Sequence, residues 1–265
     1  MINDLTIILP TYNERQNLEL LIPEILRSAW EIDENKLHVI VVDDNSTDGT
    51  LEILEKYQAL DHRFSYIVRQ ASPSLPLSIL EGIRAAETEF VAWLDADGSM
   101  PIRDLLRFSS AVRLENLDVV IGSRFVVGGG FKGLNEVGKT SLLDFFENLN
   151  RSKDSVLAVL LSRALNEFLR IVLRAGVRDL TSGFLIVRKT FIEDRDFEAS
   201  YGDYCPILIK RLVIRGAVIR EIGYLCLPRM FGESKTGTSL RTYVRRGLPY
   251  IFRSIKEVSW RSAAK

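Results

Sequence analysis

The first half of this chain repeats one alternation, and that alternation limits the fold more than any other feature. Short apolar runs are separated by longer stretches whose apolar residues recur at helical spacing. The runs are Leu5–Leu9, Leu37–Val42, Phe64–Val68, Phe90–Leu94 and Val119–Gly122. Between them, Leu18, Leu21, Ile22 and Ile25 share one helical face, Leu51, Ile53, Leu54 and Tyr57 belong to a second helix, and Leu77–Ala86 forms a third. Pro101 suits the first turn of a fourth. Asn13 is placed to cap the first helix, and Ser46 or Thr47 the second. Strands without a polar alternation are buried on both faces, so the expected architecture is α/β: a mostly parallel sheet with helices on both sides. Ligands in such sheets bind beyond the carboxyl ends of the strands.

Three of those strand ends carry polar clusters. The first run is followed by Pro10-Thr11-Tyr12-Asn13-Glu14, the second by Asp43-Asp44-Asn45-Ser46 and then Asp48-Gly49-Thr50, and the fourth by Asp95-Ala96-Asp97. Two carboxylates one residue apart at a strand end can converge on one hard cation such as magnesium or manganese, which leaves room for phosphate oxygens. By itself the D-x-D pattern suits a solvated acidic turn equally well. Its alignment with the other two clusters makes a shared site the better reading. Tyr12 is suited to stack on a base, and Asp43 to accept from a base N–H. Asn13, Ser46 and Asp48 also read as helix caps.

The second half is less regular. Gly128, Gly129 and Gly130 mark a break, and no element is assigned to the polar stretch from Leu134 to Ser155. Val156–Leu173 is an apolar helical pattern interrupted by Arg163 and Arg170; strand character returns at Gly183–Val187; Ile207–Arg215 is helical; and a further strand lies within Ala217–Leu227. Thr238–Trp260 is an amphipathic helix with a break expected near Pro249. This divides the chain into a catalytic domain over 1–237 and a basic amphipathic tail over 238–265.

The formal net charge is zero, yet its distribution is uneven. Met1–Met100 holds 18 acidic and 7 basic residues, a net of −11, and Arg229–Lys265 holds 9 basic and 2 acidic, a net of +7. An acidic front half suits a metal site, and a basic tail suits phosphates or an anionic membrane surface. Cys205 and Cys226 form no C-x-x-C pair, so zinc and redox sites lack support, and both read as buried thiols. No leader-like apolar run opens the chain, and no run approaches the roughly 20 residues of a membrane span. The tail is rich in aliphatic residues at helical spacing, which argues against nucleic acid as its partner.

Six motifs follow in order: PTYNE, VVDDNSTDGT, LDADGS, IGSRF, DLTSGF and RMFGESK. Together they resemble the family 2 glycosyltransferases of GT-A fold, and among these the dolichol-phosphate mannose synthases and polyprenyl-phosphate hexose transferases. The resemblance runs from about Ile7 to Lys235. It implies a Rossmann-like GT-A domain in which Pro10, Tyr12 and Glu14 contact the nucleotide and Asp43 contacts the base. Asp95, Ala96 and Asp97 would then hold the divalent cation, Mg2+ or Mn2+, and the diphosphate. Arg124 would face the reacting phosphates, Thr181-Ser182-Gly183-Phe184 would line the acceptor side, and Arg229, Ser234 and Lys235 would belong to a loop closing over the donor. Asp203 lies where relatives place an acid near the acceptor. Two departures stand out. Ser99 replaces a glutamine usual after the D-x-D. The stretch from Lys132 to Ser155 is long and polar, which leaves Arg151 and Arg163 as candidates for a second phosphate-binding arginine.

The implied reaction moves a hexose from a GDP- or UDP-linked donor to a polyprenyl or dolichyl phosphate, with inversion, on the cytoplasmic face of a membrane. An acceptor phosphate is already anionic and needs no strong base; a sugar hydroxyl would need one, for which Asp203 is the candidate. The alternatives are a saccharide or other soluble hydroxyl acceptor, and a non-catalytic nucleotide-sugar-binding subunit. A haloacid-dehalogenase-type hydrolase also uses D-x-D, but after its first strand, whereas here the motif follows the fourth.

Overall fold

The structure is a computed structural model that describes residues 5–28, 37–131, 135–136, 153–232 and 240–263. Strands and helices alternate through the first half: β1 (Leu5–Thr11), α1 (Arg15–Ser28), β2 (Leu37–Asp43), α2 (Thr50–Leu60), β3 (Phe64–Val68), α3 (Leu75–Ala85), β4 (Phe90–Trp93), α4 (Ile102–Glu115) and β5 (Val119–Ser123). Two short strands follow, β6 (Gly130–Phe131) and β7 (Asn135–Glu136), then α5 (Lys153–Leu173), β8 (Leu185–Arg188), α6 (Tyr204–Ile214), β9 (Ile219–Gly223), β10 (Leu225–Cys226) and α7 (Leu240–Ala263).

Seven strands make one sheet in the order β3-β2-β1-β4-β8-β5-β9. The pairs β1–β2, β1–β4, β2–β3 and β5–β9 are parallel, while β8 runs antiparallel to both β4 and β5. The predicted α/β sheet is therefore present, and β8 is inserted between the two strands that flank the site. β10, β6 and β7 make a second sheet in that order.

Successive strand residues point to opposite faces, and two cores result. Ile7, Leu9, Val39, Val41, Ala92 and Ile186 pack with Leu18, Ile22, Leu54, Leu105 and Phe108 from α1, α2 and α4. Ile8, Ile40, Val42, Val91, Trp93 and Ile121 pack with Ile79, Ile83, Leu169 and Leu208 from α3, α5 and α6. Helices thus cover both faces, as parallel strands require. Gly82 marks the tightest approach of α3, because a Cβ there would lie 2.5 Å from Ile8 Cγ2. Cys205 is buried and Cys226 partly buried, and neither forms a disulfide. Burial, foremost, pushes the Cys205 thiol up to about 12.

α7 continues through Pro249, where a break was expected. Proline removes one helical hydrogen bond, and the surrounding packing holds the helix together. Ser254 and Glu257 are buried on α7, Glu257 accepts a two-pronged contact from Arg211 (3.1 and 2.8 Å), and Arg253 reaches Asp203 at 3.4 Å. The tail helix is fastened along one face to α5 and α6. No helix among the described residues is long and apolar enough to cross a membrane.

Candidate active site

Strand register brings the polar clusters to one sheet edge. Thr11 pairs with Asp43 across β1–β2, and Ile8 pairs with Trp93 across β1–β4. The Leu94 N–H extends that ladder to the Ile8 carbonyl at 3.2 Å, so Asp95 leaves the sheet beside Pro10 and Thr11. Pro10 is buried within β1, and Tyr12 stands 38% exposed at the edge.

The loops after β1 and β2 hold each other. The Thr47 N–H donates to Asn13 Oδ1 (2.8 Å), and the Asn13 N–H donates to Ser46 Oγ (2.7 Å). Asn13 takes a left-handed backbone, φ 55°, and binds this neighbouring loop instead of capping α1. The cap comes from Asp48, whose Oδ2 accepts the Arg15 N–H (3.0 Å) while Oδ1 accepts the Thr50 N–H and hydroxyl (3.0 and 2.6 Å). One carboxylate therefore satisfies the first turns of both α1 and α2, and neither Ser46 nor Thr47 caps α2. Partial burial acts to raise the Asp48 pKa, but the Thr50 hydroxyl and the main-chain N–H groups outweigh it and lower the value overall.

Asp43 is 1% exposed and accepts from the Ser46 N–H and hydroxyl, which fixes its carboxylate at the strand end. Asp44 turns the other way. It is buried against Arg69, and it accepts from the Ser78 hydroxyl (2.9 Å) and the Ser74 N–H (2.8 Å). That pair ties the end of β2 to β3 and α3. Residue spacing alone carried no sign of it.

Ala96 is buried inside the D-x-D turn. Asp97 is 3% exposed; its Oδ1 accepts the Ser99 N–H (2.9 Å) and its Oδ2 lies 3.1 Å from Arg229 Nη1. Asp95 is partly buried. Desolvation, then the Asp97 charge, push its carboxyl up to about 7, with Glu14 adding to the rise while Arg229 and Arg124 oppose it. Asp95, Asp97, Glu14, Arg229 and Arg124 thus share one electrostatic field. Two carboxylates that feel each other at low solvation could share a cation. Among the described residues no group of three or more His, Cys, Asp or Glu could hold a metal ion. The all-oxygen pair suits a hard cation that completes its shell with water and phosphate oxygens.

Arg124 leaves the end of β5 and is gripped by buried Asp179. Nε donates to Oδ2 and Nη2 to Oδ1, both at 2.8 Å, and Nη2 also reaches the Thr181 hydroxyl at 2.9 Å. Its guanidinium lies over the Phe125 and Phe131 rings, 5.4 and 5.5 Å from their centroids. Burial alone would lower its pKa, and the Asp179 carboxylate reverses that, so the cation is held charged and fixed in orientation. The loop around Thr181 is fastened here too, because Asn166 donates to Thr181 Oγ1 and accepts the Leu180 N–H.

Asp203 sits at the start of α6, 1% exposed. It accepts from the Ser200 hydroxyl (3.1 Å), the Tyr201 N–H (2.7 Å) and Arg253. Its carboxylate is a junction between α6 and α7. Tyr201 instead reaches the site field: burial first, and then the Asp95 charge, raise its pKa, and Arg246 lies over its ring at 5.6 Å. Ser234 and Lys235 lie outside the described residues, as do Lys132 and Arg151.

The profile of the family described as Glycosyl transferase family 2 matches residues 6–194. The chain is a family 2 glycosyltransferase. Among curated proteins, this glycosyltransferase is 29% identical over 245 residues to the polyprenol monophosphomannose synthase of Mycolicibacterium smegmatis, covering 89% of this chain and 82% of that one. It is 28% identical over 259 residues to the dolichol-phosphate mannosyltransferase of Pyrococcus furiosus, covering 95% of this chain and 63% of the relative. Its GT-A fold is shared with the mannosyltransferase PcManGT from Pyrobaculum calidifontis, solved in complex with GDP-Man and Mn2+. That structure aligns at TM-score 0.59 with 18% identity, over 97% of this chain and 65% of the other.

Proposed function

We propose that this glycosyltransferase moves a hexose, mannose in the first instance, from a nucleoside-diphosphate donor to a polyprenyl phosphate at a membrane surface. The observation that carries the donor half is the Asp95–Asp97 pair beside Tyr12, Glu14 and Asp43 on one sheet edge. Tyr12 would stack on the base and Asp43 accept from it. Asp95 and Asp97 would hold Mg2+ or Mn2+, which when bound neutralises the diphosphate leaving group. Arg124 and Arg229 supply fixed positive charge for phosphates through charge-assisted bonds. The two curated relatives carry names that specify polyprenol or dolichol phosphate and mannose, and this favours the same substrate class here.

The state of Asp203 favours an anionic acceptor over a neutral hydroxyl. A hydroxyl nucleophile needs a base within hydrogen-bond reach. Asp203 already accepts two hydrogen bonds and faces an arginine, so the candidate base is occupied. A phosphate monoester needs none.

A lipid acceptor also needs a surface that meets the bilayer. On α7, Leu248 and Phe252 are 41% and 65% exposed, and on α5, Leu160 and Ile171 are 50% and 65% exposed. Ile171 also lines a groove of about 950 Å³, together with Phe125, Arg163, Arg170, Arg174 and Arg178. Apolar side chains flanked by arginines suit an interfacial position, and the cytoplasmic face is the expected side. The test is a transfer assay with radiolabelled GDP-mannose and UDP-glucose, with and without added polyprenyl phosphate and Mn2+. Product that depends on both additions supports the proposal. Donor turnover indifferent to the lipid would redirect it to a soluble acceptor.

A further inference from the structure

The segment carrying Arg229 is fastened at both ends, and one fastening is a side chain that no motif explains. Asn17 lies in the first turn of α1 and is 2% exposed. Its Oδ1 accepts the Phe231 N–H at 3.1 Å, and its Nδ2 donates to Glu14 Oε2 at 2.6 Å and, more weakly, to the Phe231 carbonyl at 3.4 Å. One amide side chain thus engages both main-chain groups of Phe231, as a neighbouring strand would. On the other side, the Leu227 N–H donates to the Ser99 carbonyl (2.9 Å) and the Met230 N–H to the Asp97 carbonyl (3.0 Å). Met230 also lies over Gly98, whose φ of +75° and lack of a side chain allow the approach; a Cβ there would sit 2.4 Å from Met230 Cε. Between these ties Arg229 is delivered to Asp97 Oδ2 at 3.1 Å.

We propose that Asn17 is a positioning residue that clips this arm to the nucleotide segment and so presets Arg229 over the D-x-D pair. The Arg229 guanidinium stands on Asp97 where a divalent cation would bind. Were Asp97 to hold a divalent cation instead, Arg229, still tethered on both sides, would be left to meet the donor's phosphate oxygens. The second step rests on the donor-site reading above; the clip itself does not.

Asparagine is specific here because one short side chain must both donate and accept. Alanine removes every contact. Aspartate keeps the bond from the Phe231 N–H, loses both donated bonds, and sets a second carboxylate against Glu14. Phe231 is 44% exposed, so water can replace the lost partner, and the expected damage is a loosened arm, not a broken core. Losing one ordinary hydrogen bond of about 1 kcal/mol shifts a local opening equilibrium by roughly five- to tenfold.

The experiment measures three quantities on the full chain and its Asn17→Ala and Asn17→Asp variants. They are amide exchange at Met230 and Phe231, affinity for Mn2+ alone, and affinity for GDP with Mn2+. The alanine variant should exchange the Phe231 amide roughly five- to tenfold faster, with β1 and β4 amides unchanged. It should bind Mn2+ alone more tightly, because Arg229 no longer defends Asp97, and bind GDP with Mn2+ more weakly. The aspartate variant should exchange at an intermediate rate, and it stands in if the alanine variant does not fold. Opposite signs for the two affinities are what a merely structural role would not produce. Unchanged Phe231 exchange, or both affinities falling together, overturns the proposal. If neither GDP nor UDP binds any form, the donor reading fails while the exchange result still judges the clip.

Discussion

Asp95→Asn should make the metal-free protein more stable at pH 8 while destroying its use of the cation. Burial and the neighbouring Asp97 carboxylate raise the Asp95 pKa from 3.8 to about 7 in the folded state. A raised folded value means the native chain holds a proton that the unfolded chain has released. Stability from this group is therefore full below about pH 3.8 and is lost progressively as pH rises to about 7. The full difference amounts to about 4 kcal/mol at 1.36 kcal/mol per tenfold change in proton affinity. Asp95 keeps some contact with water, so about 1–3 kcal/mol is the expected net cost of ionising it. Asparagine removes that cost at every pH. For a chain of this size the gain corresponds to roughly 3–10 °C in Tm. The assay is thermal unfolding in EDTA at pH 5 and pH 8, repeated at pH 8 with Mn2+. The variant should exceed the parent at pH 8 in EDTA, exceed it by only about a third of that gain at pH 5, and lose the stabilisation that Mn2+ gives the parent. A variant less stable than the parent at pH 8 in EDTA would refute the reasoning, because Asp95 would then be an ordinary structural carboxylate.

Further outcomes follow from other contacts. Asp203→Asn should cost about 1–3 kcal/mol of stability by weakening the contacts to Tyr201 and Arg253, yet change turnover on a lipid phosphate only a few-fold. A loss of roughly 10² to 10⁴ in turnover would mark Asp203 as a general base after all. Leu248→Ser with Phe252→Ser should weaken binding to vesicles of phosphatidylglycerol and phosphatidylcholine without lowering Tm, since both side chains stand clear of the core; unchanged vesicle binding would remove α7 from the membrane face. Deleting α7 is a poorer test, because it strips Glu257 from Arg211 and Arg253 from Asp203. Arg174→Gln with Arg178→Gln should weaken binding to anionic vesicles by about fivefold per arginine at low salt and leave binding to neutral vesicles unaltered.

Much of the architecture was legible because buried parallel strands write themselves as unbroken apolar runs. β1 to β5 fall where those runs fall, and their register brings Pro10, Asp43 and Asp95 to one edge. Strand character at Gly183–Val187 located β8, but not its place or direction in the sheet. A four-residue strand inserted antiparallel between β4 and β5 has the same local sequence as a parallel one. Caps were misread for a related reason: Asn13 and Ser46 are good capping residues, but Asp48, two loops away from α1, reaches its first N–H and displaces them. The site was clearest where a motif sits at the shared sheet edge, as with Asp95 and Asp97. It was opaque where residues act through others. Nothing in the residue pattern marks Asn17, the Asp44–Arg69 pair joins segments 25 residues apart, and spacing does not disclose that Arg253 meets Asp203.

The measurement closest to the central claim is calorimetric binding of GDP and UDP, with and without Mn2+, to the parent chain and to Asp97→Asn. One nucleoside diphosphate should bind the parent in a manner that needs Mn2+, and Asp97→Asn should lose that requirement together with most of the affinity while its fold, by circular dichroism, stays intact. Equal, metal-independent binding to both proteins would contradict a cation and diphosphate held at the end of β4.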